Sequence, residues 1–188
     1  MPGLQSFISK FNYKDLARPN RFDVMIPVSP NLKQSGNFTS MEDMSLICEI
    51  AELPSRTFST AEQKFTSMPV QKFPYMASYN DLTLTFIVDD SMNIKYFFDA
   101  WMSLINPVDY YTFEYKNNYA VDITINQYDM QNTVTYSIKL EEAYPIAVNQ
   151  LDLDWSSDGH HKLVVVFAYN SWKNIYDQEV KPEDTGNV

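Results

Sequence analysis

Glycine is nearly missing from this sequence, at 4 of 188 residues, and neither a Gly-rich phosphate loop, a GxGxxG fingerprint nor a GxSxG elbow occurs in it. Histidine is scarcer still. His160 and His161 are neighbours whose side chains leave an extended chain on opposite faces, which suits a solvated loop better than one shared metal. Cys48 is the single cysteine, so an intrachain disulfide and CxxC zinc or redox chemistry are excluded, and a small buried hydrophobe is the expected role. No stretch of about 18 apolar residues is present, and the opening MPGLQSFISKFNYK has no apolar core of signal-peptide length. A soluble protein made in a cytoplasm, without a membrane anchor, is therefore expected. Basic residues are also few: 14 Lys and Arg stand against 24 Asp and Glu, a net charge of -10 that disfavours binding to nucleic acid.

What is abundant is aromatic residues, with 13 Tyr and 12 Phe, and alternation of apolar with polar residues at period two. Strands are predicted over 21–28, 45–53, 70–75, 82–88, 121–126, 133–141 and 162–172. In the last of these Leu163, Val165 and Phe167 face one way, while Val164 and Val166 are apolar too, so both faces should be covered. Tyr144-Pro145 reads as a break after the preceding hairpin. One helix is predicted over 91–105, where Ile94, Phe97, Phe98, Trp101, Leu104 and Ile105 recur at spacings of three and four. Asp89, Asp90 and Ser91 supply caps and negative charge at its start, and Asn106-Pro107 stops it. Many strands and one central helix give a mainly β fold, an antiparallel sandwich or barrel with one flanking helix. The expected organisation is a single domain over 1–172, with an N-terminal arm at 1–20 and an exposed loop at 29–43, followed by an acidic tail at 173–188.

The strongest lead to chemistry is DWSSDGHH. Asp154, Ser156 and Asp158 with Gly159 match the first half of a calcium loop, but the twelfth position, which needs a bidentate glutamate, is Val165, and helices do not flank it. Asp158-Gly159 between apolar runs is then a turn, with Leu151 to Trp155 as the end of the strand before it. A calcium-binding β module built on Asp152, Asp154, Ser156 and Asp158 remains the alternative from a different class. No nucleophile, base or metal set for an enzyme is found, and no cofactor is implied.

Three segments together carry a family resemblance: Ala17-Arg18-Pro19-Asn20-Arg21-Phe22 before the first strand; Leu84 to Trp101, a strand, acidic turn and aromatic helix; and Tyr144-Pro145 with Leu151-Asp152-Leu153-Asp154-Trp155, closing on Tyr169 and Trp172. In order and spacing the chain resembles the tail tube proteins of contractile-tailed, T4-like bacteriophages. The resemblance implies a structural virion protein, not an enzyme, with the fold shared by the type VI secretion tube. It implies hexameric rings whose inner strands join into one barrel, stacked into a tube within the tail sheath. A baseplate initiator would begin that tube and a terminator end it, with DNA passing through the lumen unbound. A tube-initiating baseplate paralogue, or the inner tube of a contractile injection machine, is the alternative within the same class. On this reading the polar hairpin face of Asp122, Thr124, Asn126, Thr135, Ser137 and Glu141 is the candidate lumen lining; its other reading is the ordinary wet face of an antiparallel sheet. Arg18, Pro19, Asn20 and Arg21, with the 29–43 loop, are candidate contacts between subunits, against plain turn chemistry in which Pro19 fixes φ.

Overall fold

A computed structural model describes residues 16–29, 31–32, 47–64, 69–110, 112–156 and 158–175. Their strands are β1 (Phe22–Met25), β2 (Cys48–Ala51), β3 (Arg56–Gln63), β4 (Gln71–Tyr79), β5 (Leu82–Ile87), β6 (Val121–Tyr128), β7 (Val134–Val148), β8 (Lys162–Ala168) and β9 (Ser171–Asn174), with helix α1 (Asn93–Ile105) and the short α2 (Lys116–Tyr119) between β5 and β6. Seven strands form one antiparallel sheet in the order β1-β6-β7-β8-β5-β2, with β9 also on β7, while β3 and β4 pair only with each other.

β7 turns this sheet into a sandwich. Its first part, up to Ala143, pairs with β6, and from Tyr144 onward it pairs with β8, so one strand belongs to two faces. The bend falls at Glu142, whose φ of 52° lies in the left-handed region that costs an L-residue about 1–2 kcal/mol. Local bonds hold it there: Asp122 Oδ1 accepts the Glu142 N–H at 3.0 Å, and Lys116 Nζ lies 2.8 Å from the Glu142 carboxylate. The expected break at Tyr144-Pro145 is therefore a corner within a continuous strand. Proline is tolerated because the ladder shifts register between Pro145 and Ala147.

The two faces enclose one core. Ile123, Ile125, Ile138 and Leu140 from one side meet Leu84, Phe86, Leu163, Val165 and Phe167 from the other, all at 2% exposure or less. Helix α1 lays Ile94, Phe97, Phe98, Trp101 and Ile105 onto this core. Phe98 meets Phe86 at 5.2 Å and Phe167 at 6.0 Å between ring centroids, and Trp101 Nε1 donates to the Tyr119 carbonyl at 3.0 Å, so the buried indole is satisfied. Cys48 is buried as expected, and burial pushes its thiol pKa up to about 12.

Several boundaries differ from the sequence-based expectation. The helix starts at Asn93, with Met92 at the cap position; of the three expected caps Asp89 acts, accepting the Asn93 N–H at 2.9 Å. The last strand divides at Tyr169-Asn170 into β8 and β9, which follow the same edge of β7 past its corner, from Tyr144 opposite Ala168 to Glu141 opposite Ser171. β9 runs to Asn174, so a tail boundary at 172/173 falls inside a strand. Residues 151–154 form a loop, since β7 ends at Val148. Ser29 and Leu32, expected in an exposed loop, are buried at 3% and 1%, with Ser29 Oγ donating to the Asn118 carbonyl at 2.6 Å. Most of the expected loop, residues 1–15 of the arm and 176–188 of the tail lie outside the described residues.

Candidate functional site

The six polar residues singled out on the β6–β7 hairpin do share one face. Register pairs Asn126 with Ser137 and Thr124 with Lys139, and period two places Asp122, Thr135 and Glu141 on the same side. β1 and β9 widen that face, adding Asp23 and Met25 at one margin and Ser171 and Lys173 at the other. Ser137 is not free to solvent: it is 9% exposed and its Oγ donates to Asn126 Oδ1 at 2.6 Å.

Charge on the face is organised as pairs. Lys139 Nζ lies 2.8 Å from Asp122 Oδ2, and Lys173 Nζ donates to Glu141 Oε1, whose other oxygen accepts the Ser171 hydroxyl at 2.6 Å. The Lys139 hydrogen bond holds the Asp122 carboxyl below its usual range, and in return raises Lys139. The hydrogen bond from Lys173, then that from Ser171, lowers Glu141. Burial, followed by the hydrogen bond to Asp23 at 2.8 Å, raises the Tyr128 phenol. Among the described residues of this face both lysines are thus held by carboxylates. Sequence reasoning missed Lys139 and Lys173 as members of this face. Lys139 was legible from its alternation with Ser137 and Glu141; Lys173 was not, because the predicted strand stops at Trp172 and leaves it in the tail.

The 17–22 segment closes the end of the same sheet. Arg21 Nη1 donates to Asn132 Oδ1 at 2.9 Å and the Asp129 carbonyl at 3.3 Å, tying the chain to the β6–β7 turn, while the Arg18 carbonyl accepts from Gln127 Nε2 at 3.3 Å. Arg21 thus acts within the subunit, whereas Arg18, Pro19 and Asn20 are exposed.

At the far end of β7, residues 152–155 and 159–161 line an open concavity. Asp154 turns its carboxylate onto Ser156: Oδ1 accepts the Ser156 N–H at 3.0 Å, and Oδ2 accepts its hydroxyl at 2.8 Å. These bonds, the backbone one first, lower the Asp154 pKa. The carboxylate therefore shapes a turn. Among the described residues no group of three His, Cys, Asp or Glu is placed to hold a metal ion, so the four calcium candidates are not gathered into a site. The turn leaves Leu153 86% and Trp155 107% exposed.

The largest departure from a self-contained fold is the β3–β4 hairpin, whose strands are exposed along almost their whole length. Phe58, Phe73, Tyr75 and Met76 are 47–69% exposed, although their spacing is that of strands made to pack. Arg56 holds its guanidinium 4.9 Å from the Phe58 ring centroid, and Lys72 lies 3.4 Å from Glu62. A lone two-stranded hairpin is marginal in water, so this one has the character of an element built to be covered.

A family model described as phage tail tube protein matches residues 17–175, which takes in the wet face, the hairpin and the Trp155 turn. The chain belongs to this family. Phage tail tube proteins are structural proteins, not enzymes. No curated protein sequence matches the chain. Among solved structures, a chain of the anti-feeding prophage baseplate, six-fold symmetrised, superposes with a TM-score of 0.63 at 14% identity, covering 86% of this chain and 96% of that one. The tube-terminating cap of the same prophage gives 0.58 at 18% identity, with 86% and 91% covered. The sheath–tube complex of the extracellular contractile injection system PVC gives 0.55 at 14% identity, with 88% and 95% covered. At these identities the likeness is one of fold: this tail tube family member has the fold found in baseplate, cap and tube components of contractile injection systems.

Proposed function

We propose that the chain polymerises through stacked hexameric rings into the inner tube of a contractile phage tail, the conduit for DNA ejection. Membership of the tail tube family supports the class. The observation that carries assembly is the β3–β4 hairpin, which leaves Phe58, Phe73, Tyr75 and Met76 exposed and pairs with no other strand among the described residues. The outer edges of β1 and β9 end the four strands of the wet face, and joining such edges between subunits would close a barrel and remove them.

In this reading Asp122, Thr124, Asn126, Thr135, Ser137 and Glu141 line the bore, with Lys139 and Lys173 held by carboxylates so that phosphate slides past unbound. Arg18, Pro19 and Asn20 meet a neighbouring subunit. Sheath, baseplate initiator and terminator are the further partners, and the virion tail is the location. In the same reading the domain of 1–172 is extended to Asn174, the end of β9. Electron microscopy of the purified protein, alone and with baseplates, should show rings or tubes with a central bore; a chain that stays monomeric at high concentration and fails to extend baseplates sinks the proposal. Copy number then separates a tube subunit, present in many rings, from an initiator that forms one.

A further inference from the structure

We propose that the β3–β4 hairpin of one copy docks on the 149–161 loop of the next copy, with Leu153 and Trp155 as the apolar anchor. The proposal rests on the self-assembly inferred above and names the two surfaces that meet.

Three observations point to this pairing. Both surfaces expose large apolar side chains: Tyr75 on the hairpin is 69% exposed, and Trp155 on the loop projects fully. Trp155 is also pre-organised, because the Asp154–Ser156 turn fixes the backbone beside it, which lowers the ordering cost on docking. Tryptophan is the residue type most enriched among interface anchors.

Charge makes the two surfaces complementary. In a chain of net charge -10, the hairpin carries Arg56, Lys64 and Lys72 against Glu62 alone, whereas residues 149–161 hold Asp152, Asp154 and Asp158 with no Lys or Arg. Opposite potentials of this kind steer the encounter and fix its register. Two copies of either surface would instead repel.

Position makes the contact head-to-tail. The hairpin leaves the sandwich at Tyr79, whose ring centroid is 6.1 Å from that of Tyr169, next to the Leu82–Phe167 end of the β5–β8 ladder. The loop enters at the other end, where Ile87 pairs with Lys162 and the Val88 N–H donates to the His161 carbonyl. The ladder between them is roughly 17 Å long. Surfaces at opposite ends of one subunit propagate from copy to copy, as a heterologous contact does.

The test mixes isotopically light and heavy protein before assembly, treats it with a zero-length carbodiimide that condenses amine with carboxylate, and maps the links by mass spectrometry. The expected result is a light-to-heavy amide joining Lys64 or Lys72 to Asp152 or Asp158, together with an association constant at least about tenfold weaker in Trp155→Ala, whose melting temperature matches the parent. Links confined to one copy, no link between these segments, or a Trp155→Ala variant that associates like the parent would overturn the pairing. Tubes that form without this link leave the tube reading standing and remove the docking pair. The link in small oligomers that never become tubes does the reverse.

Discussion

Strands β5 and β4 follow each other in sequence and alternate in the same way, yet they end in opposite environments. On β5, Leu82, Leu84 and Phe86 are at most 1% exposed; on β4, Phe73 and Tyr75 are 47% and 69% exposed. The difference lies in their surroundings: β5 sits between β8 and β2 with Phe98 of helix α1 on Phe86, while among the described residues β4 pairs with β3 alone. Alternation says that a face is meant to be buried. It does not say whether the cover comes from the same chain or from another.

The contrast can be broken first at its buried side. Trp101→Ala removes a 1%-exposed side chain that touches Phe97, Phe98 and Phe167, and should cost about 3–5 kcal/mol in denaturant unfolding. Asp89→Ala removes the acceptor of the Asn93 N–H at the helix start and should cost about 1 kcal/mol.

A smaller effect is expected at the wet face. Asp122 has a lower pKa folded than unfolded, so its contribution is present at neutral pH and is lost as pH falls below the usual aspartate range through the folded value. Because the pair with Lys139 is well exposed, this should amount to less than about 1 kcal/mol, visible as a shallow acid limb that Asp122→Asn flattens. Smallest of all for the isolated chain, Phe73→Ser on the hairpin should change unfolding free energy by no more than about 0.5 kcal/mol. The same substitution should weaken self-association in sedimentation, which sharpens the comparison: a residue neutral for folding and costly for assembly.

The core strands and the helix were legible because their patterns report packing within the chain. Ile94, Phe97, Phe98, Trp101 and Ile105 recur at helical spacing and are buried where that spacing places them, with Leu104 partly buried, and the six polar hairpin residues fall on one face as period two requires. Three features were not legible for physical reasons. β3, with Thr57, Ser59 and Glu62 among its residues, has no apolar face to announce it, since it is a strand whose partner is only β4. The corner at Glu142 depends on a left-handed residue held by Asp122 and Lys116, which lie 20 and 26 positions away. Leu153 and Trp155 imitate a strand by alternating, but stand in a turn made by the Asp154 carboxylate. The charge of the wet face was only half legible, because Lys173 enters it from β9.

Amide hydrogen exchange, compared between dilute protein and assembled particles, tests most directly whether this chain folds around one core and keeps a second apolar surface for its own copies. The amides of β5 and β8 should exchange slowly in both samples, while those of β3 and β4 should be fast in the free chain and strongly protected in the particle. Equal exchange of β3 and β4 in the two samples would contradict that account.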